Sequence, residues 1–271
     1  MTHDQHVVPQ VYLKNFANGK TCYVVDSYGK ISSKSIEGIC YEKDYYELRD
    51  SEGVIVHENL FESGLYQKIE TMYSSFMKDL LEALDTDCVA GFMKHDDNDE
   101  RLTIWLVSML LRNPIVFTLT PEVAKVLDID WNDNQCRNNA ILNSAELLEA
   151  MSKNLHKTHK TVFLKNMTDI GFLTGNYPSI IMRYEDGEIR GYMPISPQYY
   201  VLLIDKNIKC LKEYSVLPAE NTIVDHFNKG IINNTIHIKT DVKHTYIISK
   251  DKNTLEHYFG YIQKQLKKES Q

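Results

Sequence analysis

Apolar and polar positions divide the 271-residue chain into three regimes. Near the start, Leu13 and Phe16 share a face at i, i+3 behind Val8-Pro9, which predicts a short helix. Pro9 suits its first position, with Val8 held extended before it and Gly19 able to close it. Alternation then takes over in Cys22–Asp26 and Lys30–Ile36 around a turn at Ser27-Tyr28-Gly29, and again in Asp44–Leu48. These runs read as a small β meander. From Asn59 to Leu84 the period changes, with Leu65, Ile69, Tyr73, Phe76, Leu80 and Leu84 recurring at helical spacing. A second helix carries Leu102, Trp105, Leu106 and Met109 up to Arg112, where Pro114 stops it. Further helices are expected near Pro121–Leu127 and Ala140–His156.

Strand patterns return at Thr161–Leu164, Ile170–Leu173 and Ser179–Tyr184. The Glu185-Asp186-Gly187-Glu188 turn then leads into Ile189–Met193 and Tyr199–Ile204. A helix around Thr222–Lys229 is expected to end at Gly230, followed by a strand at Thr245–Ser249. The last helix presents Leu255, Tyr258, Phe259, Ile262 and Leu266, capped by Asp251 or Asn253. Strands and helices are segregated, so the expectation is an α+β fold. It comprises an N-terminal meander, a central helical section and a C-terminal antiparallel sheet with a terminal helix. Without a linker or repeat, residues 1–271 read as one domain.

Composition narrows the function classes. A net charge of −7 argues against a protein that grips nucleic acid along many phosphates, though not against a pocket for a nucleotide or a strand end. The five cysteines are odd in number and scattered, with no C-x-x-C pair, so reduced thiols are expected and the cytoplasm is the expected location. The first ten residues carry no signal-peptide pattern, and the longest apolar runs fall short of a membrane span.

His6 and Gln10 flank the first helix start, where free N–H groups and an acid/base imidazole suit an anionic substrate. Their structural alternative is to tie the N-terminal segment down through bonds to backbone. Arg112 lies at the edge of an apolar stripe. It is placed either to bind a phosphate or carboxylate with paired donors, or to pair with Glu62 or Glu70 on the preceding helix. Both hold if Arg112 orients Glu70 towards His6. The H-x-x-H pairs His3/His6 and His156/His159 lack the further ligands zinc needs, so neither metal nor other cofactor is expected. The acidic run Asp96–Glu100 reads as a solvated loop capping the next helix, and Lys264–Lys268 as a charged helix end.

The segment His6-Val-Val-Pro-Gln-Val-Tyr-Leu-Lys-Asn-Phe16 resembles the opening signature H-x-V-P-Q-x-Y-L-x-x-F of the bacterial domain-of-unknown-function family 4238. Leu111–Pro114, Phe172–Thr174 with Pro178, and Met193–Pro197 fit the same family in order. The resemblance implies no activity. Where the family tends to read T-S-D-N-P, this chain has Thr174-Gly175-Asn176-Tyr177-Pro178. Asn176 cannot ionise, but it imitates an Asp turn-former through a side-chain bond to backbone, and it stays among the substrate-binding candidates.

Two functions follow as expectations. One is a metal-independent hydrolase of a phosphodiester or similar anionic substrate, with His6 as acid/base, Glu70 orienting it, and Gln10, Arg112 and Asn176 binding. The other is a non-catalytic module that binds a ligand or protein in a prophage or defence setting.

Overall fold

Pro9 shapes the start of the chain. In the computed structural model, which describes residues 4–57, 62–113, 132–183, 189–238 and 242–269, its ψ of 139° is extended, so it stands at the N-cap and not in the first turn. Strand β1 (Asp4–His6) precedes it; helix α1 (Gln10–Leu13) follows and tightens into a 3-10 turn at Lys14–Phe16. Tyr12, Leu13 and Phe16 are fully buried. The expected helix thus ends before Gly19, whose φ of +64° serves the turn into β2 (Thr21–Asp26).

β2 and β3 (Ile31–Ser35) form the expected antiparallel hairpin, and the Asp26 carboxylate accepts the Tyr28 and Lys30 N–H groups at its turn. The meander stops there. Asp44 adopts φ +50° and Asp44–Tyr46 is a turn between β4 (Tyr41–Lys43), which pairs with β1, and β5 (Leu48–Arg49), which pairs with β6 (Ile55–His57). The third strand beside β2 comes from the far end of the chain: β13 (Tyr246–Ser249), flanked in turn by the two-residue β8 (Thr174–Gly175). The expected strand at Ile170–Leu173 does not form, because the Asn228 side chain takes its place. It accepts the Leu173 N–H at 2.8 Å and donates to the Gly171 carbonyl at 2.9 Å.

The middle of the chain is helical as its period predicts. α2 (Gln67–Asp85) grows out of a π turn at Glu62–Tyr66, and α3 (Val89–Met93) and α4 (Asn98–Leu111) follow. The helix expected over Ala140–His156 is two helices, α5 (Asp133–Leu142) and α6 (Ser144–Thr158), meeting at Asn143. Tyr73 of α2 stacks on Trp105 of α4 with ring centroids 3.3 Å apart.

A five-stranded sheet completes the core in the order β12 (Val216–Ala219), β7 (His159–Asn166), β11 (Tyr199–Asp205), β10 (Ile189–Pro194), β9 (Ile180–Arg183). Only the β12–β7 pairing is parallel. Because side chains alternate across strands, Phe163, Met193, Val201 and Leu203 join the helical core. Leu164, Tyr192, Tyr200 and Leu202 face the other way, against Val224 and Phe227 of α7 (Asn221–His237). Gly230 does not end α7, which continues two turns beyond it; a glycine inside a helix costs only about 1 kcal/mol. Terminal helix α8 (Lys252–Glu269) is capped as expected by Asp251, whose carboxylate accepts the Thr254 N–H at 2.7 Å. Its Leu255, Tyr258 and Ile262 pack with Ile231, Ile232 and Ile247.

The fold is therefore α+β. No helix among the described residues is long and apolar enough to cross a membrane. The helix expected near Pro121–Leu127 and the turn at Glu185–Glu188 lie outside the described residues.

Candidate functional site

β1 sets His6 opposite Tyr41 of β4, with ring centroids 5.8 Å apart. The strand's exit is held by the Cys40 carbonyl, which accepts the Val7 N–H at 2.9 Å and the Val8 N–H at 3.4 Å. One helical turn on, the Gln10 amide nitrogen comes within 3.4 Å of His6 Nε2. From the first turn of α2, Glu70 reaches Arg112 at the end of α4, Oε1 to Nη2 at 2.7 Å. The guanidinium carbon lies 4.1 Å from the centre of the Tyr66 ring, a cation–π arrangement.

Burial separates the roles of these groups. The Arg112 side chain is 2% exposed and that of Glu70 24%. Of the two partners foreseen for Arg112, Glu70 is the one observed. The sealed guanidinium grips the carboxylate beside it. His6 is half-buried. Burial lowers its pKa below the ordinary histidine value, Glu70 opposes that shift, and Arg112 adds to it. All three groups therefore lie within electrostatic reach of one another. α1 is a single turn, so its macrodipole is small.

Asn176 stands apart from this group. It is 1% exposed, and its carbonyl oxygen accepts the Tyr246 N–H at 2.7 Å and the Cys40 thiol at 3.6 Å. Its amide donates to the His244 carbonyl at 3.2 Å. The side chain fastens the end of β8 to the approach to β13, as a turn-forming Asp or Asn would, and does not face a substrate.

The other signature residues converge on the same region. The Tyr12 hydroxyl donates to the Pro194 carbonyl at 2.7 Å and accepts from the Thr174 hydroxyl at 2.7 Å. The Asn15 amide donates to the Ile195 carbonyl at 2.9 Å. Three stretches far apart in the chain, around residues 6–16, 172–174 and 193–197, thus meet at one tyrosine. A family model described as a protein of unknown function (DUF4238) matches residues 4–253. The chain belongs to this family. No curated protein and no solved structure matches it. In this DUF4238 chain the signature is both a clamp, through Tyr12, Leu13, Asn15 and Phe16, and the frame that presents His6.

Asp99 departs from the solvated loop that its acidic run predicts. The acidic run was expected in solvent, yet Asn98 and Asp99 are buried. Asp99 accepts the Thr161 hydroxyl at 2.8 Å and lies 3.1 Å from His156 Nδ1. It also pushes the Tyr214 hydroxyl pKa up, adding to the effect of burial. His156 is thereby spent on joining α6 to α4, while His159 Nδ1 meets the Thr158 hydroxyl at 2.7 Å. No group of three or more His, Cys, Asp or Glu among the described residues is placed to hold a metal ion. Signal for the Asp99 network was present only as three separated residues, which no local pattern joins.

Proposed function

We propose that this DUF4238 protein is a metal-independent hydrolase of phosphodiester or other anionic, nucleotide-like substrates, with His6 as the acid/base. One observation carries this reading: a half-buried imidazole, its pKa lowered by burial, lies within electrostatic reach of a carboxylate held in place by a sealed guanidinium. At neutral pH such a ring is uncharged and able to take a proton from an attacking water or hydroxyl. The Ile36 backbone raises the ring's pKa slightly against burial, and the Gln10 amide faces Nε2. With the proton on Nδ1, Nε2 accepts the Gln10 amide N–H and becomes the base when a substrate oxygen takes that amide. Glu70 then stabilises the imidazolium formed as the proton moves, and Arg112 keeps Glu70 from swinging away. Gln10 is the group placed to hydrogen-bond a substrate oxygen.

The test is turnover of bis(p-nitrophenyl) phosphate, cyclic nucleotides, single-stranded RNA and DNA in the presence of EDTA, by the parent protein and by His6→Ala. A loss of about 100-fold or more is expected, with the parent's rate falling at acid pH as His6 protonates. Equal rates for parent and variant dispose of the reading.

The burial of the signature supports a second reading, a ligand- or protein-binding module in which the signature serves the fold. Tyr12, Leu13 and Phe16 are fully buried, and Tyr12 bonds two distant segments. On that reading His6→Ala lowers the melting temperature markedly, and a variant as stable as the parent counts against it.

A further inference from the structure

α7 covers only part of the outer face of the five-stranded sheet. Where it draws away from β9 and β10, a cleft of about 610 Å³ opens, within the range of small-molecule sites. Aromatic rings line it: the part-exposed Tyr192 of β10 and Phe227 of α7 lie 5.8 Å apart, and the buried Tyr200 packs behind Phe227 at 4.5 Å. Its wall is a polar stripe on α7, since Asp225, Lys229, Asn233 and Asn234 recur at helical spacing along the side that lines the cleft. Lys229 and Asp225 are paired at 2.7 Å, and the Asn233 carbonyl oxygen accepts the Tyr261 hydroxyl at 3.0 Å. Among the described residues nothing bonds the Asn234 side-chain amide. Between these groups sits Gly230, where an added Cβ meets nothing within 4 Å. A glycine in mid-helix weakens the helix, and here no neighbouring atom requires it; what it provides is room in the cleft.

We infer that this cleft binds a nucleobase-bearing small molecule, a free nucleoside or nucleotide. An aromatic lining with donors and acceptors confined to one wall suits a flat heteroaromatic ring. Its faces lie on tyrosine and phenylalanine, and its edge pairs with amide and carboxylate groups in the manner of Asn and Asp reading base edges. The inference is independent of the chemistry at His6.

Isothermal titration of the full chain with adenosine, guanosine, cytidine and uridine, and with D-ribose as control, tests it. At least one nucleoside binds the parent, and D-ribose does not. Gly230→Leu, which fills the cleft while improving helix propensity, keeps or raises the melting temperature and weakens that binding by about tenfold or more. Asn234→Ala also weakens it. Failure of all four nucleosides to bind at millimolar concentration overturns the assignment. So does equal affinity in the parent and a folded Gly230→Leu, or D-ribose binding as well as a nucleoside.

Discussion

His6 loses its proton more readily in the folded chain than in the unfolded one, because burial penalises the imidazolium. Between the lowered folded value and about 6.5, the unfolded state therefore binds more protons, and stability rises with pH across that window. The contribution is complete above about pH 6.5 and is lost as the solution is acidified. His6→Gln removes it, so the drop in melting temperature between about pH 7 and pH 5 should be smaller in the variant than in the parent. An equal drop in both would show that other groups carry the acid sensitivity. The Glu70–Arg112 pair is unequal in a way that single variants can read. Glu70→Ala leaves a charge on a side chain only 2% exposed, whereas the carboxylate left by Arg112→Met, at 24% exposure, still reaches water. Denaturant unfolding should give Glu70→Ala a loss of roughly 3 kcal/mol and Arg112→Met a smaller electrostatic loss, and the double variant should be less destabilised than the sum of the two. Additivity would mean that the pair is not coupled.

Single side chains also decide what the elements become. Asn228 bonds the backbone of Gly171 and Leu173, so a run that alternates like a strand is held as an extended connection instead. Tyr12 ties α1 to β8 and β10. Tyr12→Phe deprives the Thr174 hydroxyl and the Pro194 carbonyl of a buried partner and should cost about 1–3 kcal/mol by chemical denaturation. A near-zero change would indicate that water or a shift of Thr174 restores those bonds. In α7, Gly230→Ala has open space to enter and should raise stability by about 0.5–1 kcal/mol, read as a higher melting temperature. A loss would mean that the glycine serves the backbone and not the cleft.

At the scale of the molecule, the chain's two ends meet in one sheet. β13 lies between β2 and β8, pairing Ser249 with Tyr23 and Ile248 with Val24 on one side and Thr174 on the other. Neither the hairpin nor β8 is long enough to stand alone. Removing residues 239–271 therefore takes out an inner strand as well as α8, and the truncated chain should lose its cooperative thermal transition in circular dichroism. A truncated protein that melts cooperatively near the parent's temperature would show that the remainder is an independent unit.

Period, caps and turn chemistry in the sequence alone determined the α+β character, the helical middle, the β2–β3 hairpin, a terminal-helix cap at Asp251 or Asn253, and the presence of His6, Gln10, Glu70 and Arg112 as groups worth joining. Those are properties of residues within a few positions of each other, and short-range sterics and hydrogen bonding decide them. Only the tertiary structure decided that β13 lies beside β2, that Asp44–Tyr46 turns, that Asn176 is a staple and that Arg112 is sealed against Glu70 and Tyr66. It alone brought Asp99 in to His156 and Thr161. Each of those outcomes depends on which distant segment supplies the partner, and burial assigns that partner only when the whole core closes.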